Sequence, residues 1–225
     1  MIPSRCEPLD AALGGGFTLG EIAVVYGEAG TGKTTLAIQT TIEAARRASK
    51  VLYIDTDHSF THQRFIQLAG EDSDATSERI LLFYPETFSA QTSLIEGVEN
   101  YLTTSTRLVV VDTITSLYRV SLGSAEQTFS LNRELNRQLA YLSEVALRYK
   151  LVALLTSQVH ARLGFPFGRI EPVARRTLAH WPRTIIRLRN TAEHARKEIV
   201  VERQRGRQSS LKCTTMLTLH GFMPV

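Results

Sequence analysis

The sequence of 225 residues has only two cysteines, no low-complexity tract, and no apolar run long enough to cross a membrane. Its first residues lack the long apolar core of a signal peptide, so we expect a cytoplasmic protein with no membrane partner. The cysteines, Cys6 and Cys213, are too few for a disulfide framework and fit a reducing compartment. No Cys/His cluster has the spacing of a zinc site, and no Ser/His/Asp triad can be argued from spacing.

Positive charge is concentrated in the last third of the chain. Residues 1–160 hold 13 Lys/Arg and 18 Asp/Glu, whereas residues 161–225 hold 13 and 4. Arginine supplies almost all of the basic residues there, and its guanidinium favours phosphate contacts. We therefore expect a polyanion partner, with a merely solvated basic surface as the alternative.

One stretch, Gly27–Thr34, fits the phosphate-binding pattern G-x-x-x-x-G-K-[ST] between an apolar strand, Ile22–Tyr26, and a helix. The loop is expected to point backbone N–H groups at phosphates, with Lys33 on the β- and γ-phosphates and the Thr34 hydroxyl on magnesium. The residues expected to contact the nucleotide are Gly27, Glu28, Ala29, Gly30, Thr31, Gly32, Lys33, Thr34 and Thr35. The alternative is a glycine-rich turn with an accidental Gly-Lys-Thr.

Strand and helix patterns alternate up to residue 180, which predicts an α/β fold with a mostly parallel sheet and helices on both faces. Strands are expected at 22–26, 51–57, 80–84, 108–112 and 151–158, and helices at 35–47, 61–70, 89–102 and 127–149. Three later strands, at 184–189, 198–202 and 214–219, predict an antiparallel extension. The last helix should bury a stripe consisting of Leu131, Leu135, Leu139, Leu142, Ala146 and Leu147. No Pro/Gly/Ser-rich linker divides the chain, so we expect a single domain over residues 1–225.

Two acidic residues end predicted strands at the edge where parallel sheets bind ligands. Asp112 follows four apolar residues and is expected to support magnesium, with a helix cap as the alternative. Asp57 could orient an attacking water, or could cap the helix that begins near Thr61.

Arginines flank two phenylalanines in the segment after residue 160. Arg162 and Arg169 are expected to meet phosphates of single-stranded DNA, while Phe165 or Phe167 stacks on bases. Two further arginines, Arg175 and Arg176, extend this patch. The alternative is a loop whose phenylalanines pack into the core.

The motifs occur in an order that resembles the RecA/RadA recombinases and, more closely, their short archaeal paralogues of the RadB type. The resemblance covers nearly the whole chain, through Leu9-Asp10, Leu13–Phe17, the phosphate loop, Val51–Asp57, Val110–Thr113, Ser116–Arg119, Asn132–Leu139, Thr156–Val159 and Leu178–Trp181. It implies a RecA-like core that uses ATP and Mg²⁺.

The same resemblance implies roles for single residues. Arg64 lies where a family arginine stacks on adenine, and Gln158 lies where a glutamine senses the γ-phosphate and relays it to the adjoining loop. The catalytic set is then Lys33, Asp57 and Gln158. The two DNA-binding loops correspond to residues from about 161 to 176 and to the segment around Arg119 to Gln127.

The chain departs from the family pattern in three ways. Asp57 stands where the family has Glu, so its carboxylate is one methylene shorter and we expect slow hydrolysis. The family's Thr-Asn-Gln is here Thr-Ser-Gln, ending at Gln158. We also expect the chain to open on the core, without the small N-terminal DNA-binding domain and the linker through which full recombinases polymerise.

These features imply a nucleoid-associated recombinase paralogue that binds ATP and single-stranded DNA and assists homologous recombination and DNA repair. Oligomers are compatible with this interpretation, but strand-exchange filaments are not expected. Two alternatives are a nucleotide-switched module that acts by binding the main recombinase, and an ATPase related to the clock proteins.

Overall fold

The structure, a computed structural model, describes residues 1–161 and 170–225. Most of its strands form one nine-stranded sheet with the spatial order β11-β10-β9-β8-β1-β5-β4-β2-β3. These strands are β1 (Ile22–Gly27), β2 (Lys50–Asp55), β3 (Ile80–Phe83), β4 (Thr106–Asp112), β5 (Val152–Ser157), β8 (Thr184–Asn190), β9 (Arg196–Gln204), β10 (Arg207–Thr218) and β11 (Gly221–Met223). A separate hairpin pairs β6 (Val159–Ala161) with β7 (Ile170–Pro172).

The sheet is parallel from β8 through β1, β5, β4 and β2 to β3, and antiparallel from β8 to β11. The predicted α/β fold with an antiparallel C-terminal extension is therefore confirmed. The first of the three late strands differs in one respect, because β8 pairs parallel with β1 and antiparallel only with β9. A crossover connection after β5 returns the chain to the sheet in the parallel direction, and hairpin turns then reverse it.

Helices cover both faces of the parallel part. They are α1 (Glu7–Leu13), α2 (Lys33–Arg46), α3 (His62–Ala69), α4 (Ser73–Ser77), α5 (Phe88–Glu96), α6 (Ser116–Val120), α7 (Ala125–Tyr149) and α8 (Arg175–His180). One hydrophobic cluster lies between the sheet and α1, α2 and α3, and a second lies between the sheet and α5, α7 and α8. Strands β1 and β5 are buried throughout because they are apolar on both faces. Within the described residues, no helix is long and apolar enough to span a membrane.

Two helix predictions need correction. The helix expected at 89–102 ends at Glu96, and a 3₁₀ turn, Val98–Tyr101, follows Gly97, since glycine is a poor helix former. The buried stripe of α7 does not include Leu147, which is 70% exposed. Val145 is buried instead, because Leu147 lies about 100° around the helix from Ala146 and so faces solvent.

Candidate functional site

Adjacent parallel strands end at one edge of the sheet, and the predicted site residues follow four of them. The glycine loop follows β1, Asp57 lies two residues after β2, Asp112 ends β4, and Gln158 follows β5. Strands β1, β5, β4 and β2 are consecutive neighbours in the sheet. Parallel pairing therefore brings these residues to the edge where α/β sheets bind ligands.

The glycine loop curls around its own lysine. The ammonium of Lys33 donates to the carbonyl oxygens of Gly27 and Glu28, each at 2.9 Å, and the Thr31 hydroxyl donates to Glu28 O at 2.8 Å. Gly32 has φ +94°, and a Cβ there would lie 2.6 Å from Phe222 Cζ, so only glycine fits. The loop thus has a concave backbone with a cation at its centre.

Burial leaves the charge of Lys33 poorly solvated. Burial lowers the pKa of Lys33, while the carboxylates of Asp112, Asp57 and Glu28 act to raise it. An anionic group in the loop would favour the charged ammonium further. This part of the site therefore suits phosphate.

The two residues predicted to hold magnesium lie together. Asp112 is fully buried, and it accepts hydrogen bonds from the hydroxyls of Tyr53, at 2.8 Å, and of Thr156. The Thr34 hydroxyl is close enough to act on the pKa of the same carboxylate. Burial raises the pKa of Asp112, and these hydrogen bonds act against the rise. The alternative that Asp112 caps a helix is wrong, because Thr115 occupies the N-cap of α6.

Asp57 is exposed, and its carboxylate Oδ2 accepts a hydrogen bond from Gln158 Nε2 at 3.2 Å. The carboxylate of the neighbouring acid, Asp55, stabilises the turn that follows β2, since it accepts hydrogen bonds from the backbone N–H groups of Asp57, Ser59 and Phe60. The alternative that Asp57 caps α3 is wrong, because the Thr61 side chain caps that helix. Asp57 is therefore available for chemistry at the strand edge.

Two buried side-chain oxygens at this edge have no hydrogen-bond partner within the described residues, namely Thr113 Oγ1 and Gln158 Oε1. Both lie next to the carboxylates and hydroxyls just described. Unsatisfied buried oxygens are costly unless a bound group satisfies them. Oxygen ligands are also what Mg²⁺ prefers. The residues present therefore fit a magnesium nucleotide.

Arg64 lies beside the loop but is held by the C-terminal part of the chain. Its guanidinium donates to Leu219 O at 2.6 Å and to the Thr35 hydroxyl at 3.3 Å. Burial lowers the pKa of Arg64. The guanidinium is thus fixed between the start of α2 and the turn before β11.

That C-terminal turn was not predicted as part of the site. Phe222 packs against Gly32, and its backbone N–H donates to Gln39 Oε1 at 2.9 Å. The contact joins residues 183 positions apart, so no local pattern in the sequence could have indicated it.

The residues predicted to contact DNA are only partly within the described part of the chain. Arg119 is exposed on α6, and Arg175 and Arg176 are exposed at the start of α8. The other four, Arg162, Phe165, Phe167 and Arg169, lie outside the described residues. The segment that leads to α8 is tied to the site, because Val173 N donates to Gln158 O at 3.0 Å.

The family model that matches this chain is Rad51, over residues 1–216. The chain belongs to the Rad51 family. It is 32% identical over 218 residues to the DNA repair and recombination protein RadB of Methanococcoides burtonii, covering 97% of this chain and 95% of that one. The protein of the same name from Thermococcus kodakarensis is 33% identical over 228 residues and is matched over the full length of both chains.

Among solved structures, one described as the crystal structure of the RadB recombinase matches with a TM-score of 0.86. It is 32% identical to this chain in sequence, and the match covers all of both chains. The resemblance to RadB-type paralogues within the RecA-like Rad51 family is therefore confirmed. The roles of the individual site residues remain predictions, which rest on the geometry of this chain.

Proposed function

We propose that this chain binds ATP with Mg²⁺ and single-stranded DNA, hydrolyses ATP slowly, and assists homologous recombination and DNA repair. The observation that carries the proposal is the convergence of Lys33, Thr34, Asp112, Asp57 and Gln158 at one sheet edge. The relatives named DNA repair and recombination protein RadB support it.

In the proposed site, the backbone of the glycine loop and Lys33 hold the phosphates, and Arg64 and Thr35 lie on the side where the base would stack. Lys33 would exchange its two loop carbonyl contacts for phosphate oxygens. Thr34 and Asp112 would hold the magnesium ion, which neutralises phosphate charge when bound. Asp112 stays fixed because Tyr53 and Thr156 hydrogen-bond its carboxylate.

Hydrolysis needs a group that orients water, and Asp57 is the carboxylate placed for it. It is held by Gln158, whose own backbone N–H donates to Thr115 Oγ1 at 3.3 Å. A short aspartate side chain leaves the carboxylate farther from the phosphates than a glutamate would. A displacement of about 1 Å can cost on the order of 100-fold in rate, so turnover is slow.

One observation also favours a second candidate, a nucleotide-switched module with negligible hydrolysis that acts by binding the main recombinase of the same cell. The Asp57 carboxylate is engaged by Gln158, and the chain that follows Gln158 leads to α8. Nucleotide binding that displaces Gln158 would then shift Val173 and the start of α8 without any need for catalysis.

The deciding experiment compares wild type with Lys33→Ala. Calorimetry should show saturable binding of Mg²⁺-ATP to wild type, and an affinity about tenfold to 100-fold lower for Lys33→Ala, because a charged contact to phosphate is lost. Equal affinity of both proteins for ATP would contradict the assignment of the glycine loop as the ATP site. A single-turnover assay then separates the two candidates, since hydrolysis equal to a no-protein control favours the switched module.

A further inference from the structure

A cleft of about 480 Å³ lies on the face of the sheet that carries α8, away from α2. Its floor is apolar and is formed by Val24 of β1, Leu178 of α8 and Ile185 of β8. None of the residues that line it belongs to the glycine loop or to the residues proposed to hold magnesium. The volume falls in the range of small-molecule sites, which are typically about 300–1,000 Å³.

The rim of the cleft carries an excess of positive charge. Of the lining residues that the structure describes, three are arginines, Arg175, Arg187 and Arg203, and one, Glu202, is a carboxylate. The Glu202 carboxylate is already engaged, because the Tyr26 hydroxyl donates to its Oε1 at 2.7 Å. The cleft is therefore electrostatically suited to an anion.

Arg187 is the rim residue placed to bind a ligand. It is half-buried, lies opposite Tyr26 in the pairing of β8 with β1, and has no hydrogen bond or ion pair within residues 1–161 and 170–225. Arg203, by contrast, is fixed by the carbonyl oxygens of Ala179 and Pro182, at 2.7 and 3.0 Å. A half-buried guanidinium without a partner gains most from a ligand that accepts two hydrogen bonds.

We propose that this cleft binds a phosphate-bearing ligand of nucleotide size, with the phosphate on Arg187 and the base on the apolar floor beside Tyr26. Planar guanidinium groups match phosphate oxygens in pairs, and an apolar floor suits the face of a base. Two sources have this chemistry, a free mononucleotide and a nucleotide of a DNA strand. The inference uses none of the residues of the ATP site; for a free nucleotide it goes beyond the proposed function, and for a strand it rests on the proposed DNA binding and names a subsite for it.

The test uses the full chain with Lys33→Ala as background, so that the glycine loop contributes little binding. Calorimetry compares thymidine 5′-monophosphate, uncharged thymidine and a short thymidine oligonucleotide. Arg187→Gln is the test variant. Arg189→Gln is its matched control, because Arg189 lies two residues along the same strand but is paired with Glu198 at 2.9 Å.

Arg187→Gln should weaken binding of the phosphate ligand about tenfold to 100-fold, while Arg189→Gln changes it less than about twofold. If the natural ligand is a free nucleotide, the loss of affinity in Arg187→Gln should appear with the monophosphate. If the natural ligand is a DNA strand, the loss of affinity should appear only with the oligonucleotide. Glu202→Gln keeps an acceptor for the Tyr26 hydroxyl and removes a negative charge, so it should tighten binding.

Three results would overturn the proposal: thymidine binding as tightly as both phosphate-bearing probes, equal losses in the two arginine variants with both of those probes, or no saturable binding of any probe. Wild-type ATP binding is measured separately. A failure of the ATP site therefore leaves the Arg187 result interpretable, and a failure of the cleft leaves the ATP site untouched.

Discussion

The carboxylate of Asp57 and the side-chain amide of Gln158 are hydrogen-bonded, with 3.2 Å between Oδ2 and Nε2. The two residues are 101 positions apart and follow strands β2 and β5, which are separated in the sheet only by β4. Asp57 also acts electrostatically on Lys33, so the pair lies within reach of the phosphate loop. This hydrogen bond therefore connects Asp57, which is placed to orient water, with Gln158 at the start of the segment that leads into α8.

Lengthening the Asp57 side chain tests whether reach limits hydrolysis. Asp57→Glu should raise the single-turnover rate on the order of ten- to 100-fold, because the added methylene moves the carboxylate toward the phosphates. Asp57→Asn should reduce hydrolysis to background without weakening ATP binding, since it removes a negative charge near the loop. A rate unchanged in both variants, measured with γ-labelled ATP, would place the catalytic carboxylate elsewhere.

Gln39 holds the C-terminal turn against the phosphate-loop helix. Its Oε1 accepts the buried N–H of Phe222 at 2.9 Å, and both residues are almost completely buried. Gln39→Leu should lower the free energy of unfolding by about 1–3 kcal/mol, because that N–H loses its acceptor. Urea unfolding measures the change. The control is Gln63→Leu on exposed α3 surface, and a loss as large in the control would contradict the assignment.

The sequence predicted the sheet and the strand-edge residues because both depend on local patterns. Apolar runs gave the buried strands, and the glycine loop and Asp112 follow from motifs of fewer than ten residues. The contacts of Arg64 with Leu219 and of Gln39 with Phe222 could not be predicted, since each joins segments more than 150 residues apart. Leu147 was misplaced because adjacent positions on a helix differ by about 100°, and a one-residue error changes the face.

The buried thiol of Cys6 makes the free energy of unfolding depend on pH in the alkaline range. Burial raises the pKa of the Cys6 thiol from its usual 9.0 to about 11. Between these values the unfolded chain loses a proton that the folded chain keeps, so the free energy of unfolding falls as pH rises. Wild type should lose about 1 kcal/mol more than Cys6→Ala between pH 8 and pH 10, as measured by urea unfolding at each pH.

Cys213 provides the comparison for that measurement. Burial also raises the pKa of its thiol, but the side chain is only half-buried. Cys213→Ala should therefore keep most of the wild-type loss of stability at alkaline pH. If Cys6→Ala and wild type show the same pH dependence, the thiol of Cys6 ionises as freely in the folded chain as in the unfolded one.

Binding to single-stranded DNA should depend steeply on salt if the arginine-rich last third contacts phosphates. Each phosphate contact adds about 0.7 to the slope of log affinity against log salt for a single strand.

Arg176→Ala should lower that slope by about one contact, because Arg176 is exposed at the start of α8. Arg148→Ala, on the exposed end of α7 and paired with Glu99 at 3.0 Å, should leave it unchanged. Fluorescence anisotropy between 50 and 200 mM salt measures the slopes. A nearly flat wild-type slope would mean that the basic surface meets solvent rather than DNA, since counterion release accompanies any phosphate contact.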